Sequence, residues 1–134
     1  MTEQARILLI DDDWDFVEAT RMLLESRYKV AVAYKGDEGL KKARKEKPDL
    51  IILDIIMPTK DGFTVCEELK KDTQLKKIPV MLLTSFSQRM AETTTSVAQA
   101  LTTEAEDYVD KPVSPEELFH RVEKLLRKQP RKGH

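Results

Sequence analysis

Four aliphatic runs in this chain each stop at a polar residue, and that repetition restricts the fold more than any other feature of the sequence. Ile7 to Ile10 stops at Asp11, Asp12 and Asp13, Leu50 to Leu53 at Asp54, and Val80 to Leu83 at Thr84, while Tyr108 and Val109 lead through Asp110 to Lys111. Short runs of Ile, Val and Leu separated by longer stretches of helical period are the pattern of repeated β-α units around a parallel sheet. Ligands of such a sheet bind beyond the carboxyl ends of its strands, where strand-terminal groups distant in sequence converge. An acidic cluster, a further carboxylate, a hydroxyl and an ammonium are therefore expected to share one crevice.

Five β-α units are expected. Strands fall near residues 6–10, 29–33, 50–53, 80–83 and 107–109, and helices near 15–26, 37–46, 62–71, within 87–103, and at 115–127. The run Leu50 to Leu53 is unbroken and reads as a central strand buried on both faces. The last helix is the clearest. Ser114 suits its N-cap, Pro115 its first turn, Glu116 and Glu117 its positive end, and Leu118, Val122, Leu125 and Leu126 form one apolar stripe. The helix within 87–103 is expected to be irregular, because Thr93, Thr94 and Thr95 are β-branched.

The chain has 134 residues, one ordinary domain in length, assigned to 1–128 with a basic tail or linker stub at 129–134. A formal net charge of -1 gives no general attraction to nucleic acid or to an anionic membrane. No apolar stretch approaches the roughly 18 residues of a membrane span and Met1 to Arg6 is polar, so neither anchor nor signal peptide is expected and the cytoplasm is the default. Cys66, the single cysteine, reads as a core residue.

Adjacent carboxylates at a core edge repel and resist desolvation unless a cation is present, and magnesium, which takes one or two carboxylates and keeps several waters, suits the cluster at Asp11 to Asp13. Asp13 or Asp15 can alternatively cap the helix that follows. A calcium loop fails, since Phe16 stands where glycine is needed and Met22 where a bidentate Glu is needed. Asp54, fixed at the end of a buried strand, is a candidate nucleophile toward phosphorus, with Thr84 as a hydroxyl donor and Lys111 as a point charge for the same group.

The runs ILLIDDD, DLIILDIIMPTKDG, PVMLLTS and DYVDKP resemble the receiver domain of bacterial two-component response regulators, over about Arg6 to Arg127. The resemblance implies a flavodoxin-like (βα)5 doubly wound sandwich, with a five-stranded parallel sheet of order 2-1-3-4-5 and helices on both faces. By position Asp54 resembles the phosphoacceptor. Asp11 and Asp12 resemble the acidic pair that holds Mg2+ together with Asp54 and the Ile56 carbonyl. Thr84 and Lys111 resemble the phosphate-contacting hydroxyl and lysine, Tyr108 the aromatic switch that follows Thr84 inward, and Lys111-Pro112 the family's cis peptide.

The resemblance further implies a chain that is not an enzyme but a switch that catalyses its own phosphotransfer and dephosphorylation. Its partners would be a sensor histidine kinase or phosphotransfer protein and a downstream output protein or domain, with no direct contact to nucleic acid or membrane. A homodimer through the helix within 87–103, the fifth strand and the last helix is possible in the family. Three features depart from its pattern: a longer segment between Thr84 and Lys111, Thr103-Glu104 in place of a glycine-containing turn, and Asp110 beside the site. Ile56 and Phe86 occupy the two variable positions that influence acyl phosphate lifetime and, being bulky and apolar, predict a long one.

Two other classes compete. A haloacid dehalogenase-type phosphatase matches the Asp11-x-Asp13 spacing but lacks the following Thr and room for a cap domain. An interaction module that had lost phosphorylation would have no need of Asp11, Asp12, Asp54, Thr84 and Lys111 together.

Overall fold

In the computed structural model, which describes residues 4–57, 60–84 and 104–127, the elements run β1 (Arg6–Ile10), α1 (Trp14–Leu24), β2 (Lys29–Ala33), α2 (Gly36–Glu46), β3 (Leu50–Leu53), α3 (Gly62–Lys71), β4 (Val80–Thr84), β5 (Asp107–Asp110) and α4 (Pro115–Arg127). All five strands are parallel, in the order β2-β1-β3-β4-β5. This is the flavodoxin-like sheet expected from the sequence. The helix expected within 87–103 and the tail at 129–134 lie outside the described residues. No helix among those described is long and apolar enough to cross a membrane.

Alternation along the strands sorts the core into two layers. Leu8, Ile10, Ile51, Leu53, Val80 and Leu82 face α2 and α3, meeting Leu40, Ala43, Val65, Cys66 and Leu69. Ile7, Leu9, Leu50, Ile52, Met81 and Leu83 face the opposite way and meet Val17 and Leu24 of α1 and Leu118, Val122 and Leu125 of α4. Every residue of β3 is buried. At about 1.5–3 kcal/mol for each fully buried Leu or Ile, these two layers are the main favourable term in folding.

Two helices start one residue earlier than expected, each for a local reason. α1 begins at Trp14 because Asp13, rather than Asp15, caps it, its side chain accepting the Phe16 N–H at 3.1 Å. α2 begins at Gly36, where a Cβ would stand 2.8 Å from Val65 Cγ2 and 3.2 Å from the Lys60 carbonyl, so glycine lets the first turn of α2 sit against α3. Ser114 caps α4 as expected, accepting the Glu117 N–H at 3.1 Å.

β5 is an edge strand of four residues, and its entry is pinned from beneath. The Lys70 side chain, 6% exposed, donates to both carboxylate oxygens of Glu106 at 2.9 and 2.8 Å and to the Ile78 carbonyl at 3.0 Å. Glu106 in turn accepts the Val80 N–H at 2.8 Å and donates its own N–H to the Val80 carbonyl at 2.9 Å. Tyr108 is thereby set opposite Leu82, and Asp110 opposite Thr84.

Candidate functional site

β1 and β3 are neighbours, with Ile10 opposite Leu53, so the residues that follow them emerge side by side. The Asp54 N–H donates to the Ile10 carbonyl at 2.9 Å and the Asp11 N–H to the Ala33 carbonyl at 3.0 Å, carrying the ladder one step past the strands. Asp11 and Asp54 are buried and Asp12 is exposed. One carboxylate oxygen from each of the three lies within 4.8 Å of the others.

Lys111 arrives from the far edge of the sheet. Its peptide bond to Pro112 is cis, and its ammonium donates to Asp11 Oδ2 at 2.8 Å. The same nitrogen stands 3.9 Å from the centroid of the Phe16 ring. Burial pushes the Asp11 carboxyl above the usual carboxylate range, although the Lys111 ammonium and the Asp13 N–H pull it the other way. Three carboxylates against one ammonium leave the cluster with surplus negative charge in a partly dry place, and a hard divalent cation with oxygen ligands relieves that cost. The donor set fits such an ion.

Ile56 is half-buried and its N–H lies 3.4 Å from Asp54 Oδ1. Thr84 ends β4 in register with Asp110; its side chain lies outside the described residues, as does Phe86. Tyr108 is half-buried against the α2 and α3 layer, and its phenol is pushed up to about 12, first by burial and then by the negative charge of Asp110. His120 is exposed on α4.

Sequence reasoning missed two residues that shape this site. Gly62 begins α3 and donates its N–H to the Ile55 carbonyl at 2.7 Å, so close to the strand end that a Cβ would stand 2.1 Å from the Asp54 carbonyl oxygen. The only local signal is the Asp61-Gly62 pair, in which Asp61 caps α3 by accepting the Thr64 N–H at 2.9 Å. Phe16 had been weighed only as the wrong residue for a calcium loop. Its ring meets Lys111 through tertiary structure, and nothing in the neighbouring sequence announces that contact.

The sequence profile described as "Response regulator receiver domain" matches residues 7–123. Among similar proteins, the "Response regulator PleD" of Caulobacter vibrioides is 40% identical over 128 residues, covering 92% of this chain and 26% of its own length. The "Alkaline phosphatase synthesis transcriptional regulatory protein PhoP" of Bacillus subtilis is 39% identical over 124 residues, covering 92% of this chain and 49% of its own. The chain thus spans a half or less of these two relatives. Of solved structures, the signal receiver domain of a signal transduction histidine kinase from Syntrophus aciditrophicus superposes with a TM-score of 0.85 at 32% identity, covering 96% of this chain and 94% of that one. A CheY-like receiver domain protein from Methanospirillum hungatei superposes with a TM-score of 0.83 at 27% identity, over 94% of this chain and 96% of that one.

One expectation is corrected by the profile match. It supports a receiver domain, a phosphoacceptor switch, and lends no support to a chain that catalyses its own phosphotransfer and dephosphorylation. With the fold, the strand-end acids and these relatives in agreement, the chain belongs to the receiver domain family of two-component response regulators.

Proposed function

We propose that this domain, residues 1–128 with 129–134 as a basic tail or linker stub, is the phosphoacceptor of a two-component phosphorelay. Asp54 accepts a phosphoryl group from a phosphohistidine of a sensor histidine kinase or phosphotransfer protein. A carboxylate oxygen of Asp54 bonds to phosphorus as the phosphorus–nitrogen bond of the donor breaks, leaving an acyl phosphate on Asp54 and the imidazole on the partner. Asp11, Asp12, Asp54 and the Ile56 carbonyl hold Mg2+. Bound there, the ion supplies charge neutralisation between the carboxylates and the phosphoryl oxygens.

Lys111 and the Thr84 hydroxyl hold the phosphoryl oxygens once the group is on Asp54. Movement of Thr84 toward that group draws Tyr108 inward and alters the surface around β5 and α4, which a downstream protein or output domain reads. That surface can also serve homodimerisation. The place of action is the cytoplasm, with no direct contact to nucleic acid or membrane.

The observation that carries this reading is the convergence of the Asp11, Asp12 and Asp54 carboxylates within 4.8 Å, with the Lys111 ammonium 2.8 Å from Asp11. Incubation with acetyl phosphate and Mg2+ followed by intact mass tests it. Wild type is expected to gain one phosphoryl group, and neither Asp54→Asn nor wild type in a chelator gains it. A gain retained by Asp54→Asn refutes the assignment, and multiple turnover of a phosphate ester returns the phosphatase reading.

A further inference from the structure

Lys111 is held from two sides by groups of different kinds, the Asp11 carboxylate and the Phe16 ring. The ring is itself fixed. Phe16 lies in the first turn of α1, where Asp13 accepts its N–H at 3.1 Å, and the Asp13 N–H donates to Asp11 Oδ1 at 2.9 Å. The contacts close a circuit from Asp11 through Asp13 and Phe16 to Lys111 and back to Asp11.

Only one of the two holding groups has a competitor. A hard divalent cation takes carboxylate oxygens rather than a hydrocarbon ring, so a metal at Asp11 would compete with Lys111 for its carboxylate and would leave the ring contact in place. Attraction to a ring face is broad in direction, so the ammonium can turn from Asp11 toward Asp54 without leaving it. A lysine released to water would instead have its rotamers to freeze again when it met an anion on Asp54.

We propose that Phe16 is a positioning residue for Lys111: its ring keeps the ammonium in the crevice when Asp11 turns to the metal, ready for the phosphoryl group. The proposal rests on the reading of Asp54 as phosphoacceptor. Phe16→Leu keeps apolar bulk and removes the ring, and Phe16→Tyr keeps the ring. The probe is beryllofluoride in saturating Mg2+, a tetrahedral stand-in for a phosphoryl group that bonds to a carboxylate oxygen, with affinity read by fluorescence of the sole tryptophan, Trp14, or by calorimetry.

Phe16→Leu is expected to weaken beryllofluoride binding by about 3- to 10-fold, the span of one exposed to partly buried cation–π contact, and Phe16→Tyr to restore it. In a Lys111→Met background, Phe16→Leu is expected to have no further effect. Independently of any phosphoryl stand-in, the Lys111 ε-methylene proton resonance should be shifted upfield by the ring in both free and Mg2+-loaded wild type, and unshifted in Phe16→Leu. Failure of wild type to bind beryllofluoride refutes the phosphoacceptor reading itself. Equal affinity of wild type and Phe16→Leu, an undiminished loss in the Lys111→Met background, or an unshifted methylene in wild type refutes the role of Phe16 alone.

Discussion

Gly62→Ala offers the sharpest test of how tightly α3 is built against the strand end that carries Asp54. The added Cβ would meet the Asp54 carbonyl oxygen at 2.1 Å, Ile55 Cα at 2.7 Å and the Asp54 carbonyl carbon at 2.8 Å, all of them backbone atoms. No rotamer change relieves such contacts, so the strand end and the helix must separate by about 1 Å, an overpacking that costs about 1–3 kcal/mol. The same separation stretches the 2.7 Å bond from the Gly62 N–H to the Ile55 carbonyl, worth about 1 kcal/mol more. A total of about 2–4 kcal/mol corresponds to a fall in Tm on the order of 10 °C for a domain of this size, measurable by urea and thermal unfolding followed by circular dichroism.

Because the displaced atoms belong to Asp54 and Ile55, phosphorylation by acetyl phosphate at a temperature where the variant is folded should also fall, by about 10-fold or more. Gly39→Ala is the control. There the three nearest atoms to the Cβ all belong to the Ile10 side chain, Cδ1 at 2.4 Å, Cγ1 at 2.8 Å and Cγ2 at 3.1 Å, so the clash falls on a core side chain rather than on the backbone of Asp54, and stability falls with phosphorylation largely kept. Gly62→Ala unfolding within about 0.5 kcal/mol of wild type, with unchanged phosphorylation, would show the close approach to be unimportant.

Three further outcomes follow from contacts described above. Lys111→Met leaves Asp11, 1% exposed, without its ammonium beside two other carboxylates, and without metal this should cost about 3 kcal/mol in urea unfolding at neutral pH; a loss under about 1 kcal/mol would mean that the pair is not dry. Tyr108 has a folded pKa of about 12 against an ordinary 10.0, so its contribution is fully present below pH 10 and is lost as pH rises toward 12. Tyr108→Phe should therefore lose less stability than wild type between pH 9 and about 11, and identical declines would contradict the assigned burial. Lys70→Met strands the Ile78 carbonyl and unpins Glu106, which should cost about 1–3 kcal/mol and speed amide exchange at Val80; unchanged exchange would remove Lys70 from the support of β5.

Four of the five strands were legible because each is written twice, once as an apolar run and once as the polar residue that ends it, while their order was what the family resemblance implied. The acids at Asp11, Asp12 and Asp54 were legible for the same reason, since strand ends of a parallel sheet have one place to converge. What escaped the sequence is whatever depends on distance rather than pattern. Backbone of Asp54 and Ile55 leaves no room for a Cβ at Gly62, and the Val65 side chain and the Lys60 carbonyl leave little at Gly36, and no periodicity records either approach. Neither Phe16 nor Lys70 carries a local mark of the contacts it makes, although the Lys70 side chain is 6% exposed and bonded on several sides. Asp13 against Asp15 as cap was a choice between two equally suited residues, decided by where the Asp11 carboxylate receives the Asp13 N–H.

An ammonium seated among carbonyls and a carboxylate at the foot of β5 has an architectural corollary. The strand's alignment is fixed by α3 and the start of β4, parts of the molecule that owe nothing to the long connection joining β4 to β5. Residues can be gained, lost or exchanged in that connection without dragging Tyr108 or Lys111 along the sheet, since the bolt that seats them is driven from below. A chain built this way is free to vary its sequence between β4 and β5 while the distance from Lys111 to Asp11 stays the same.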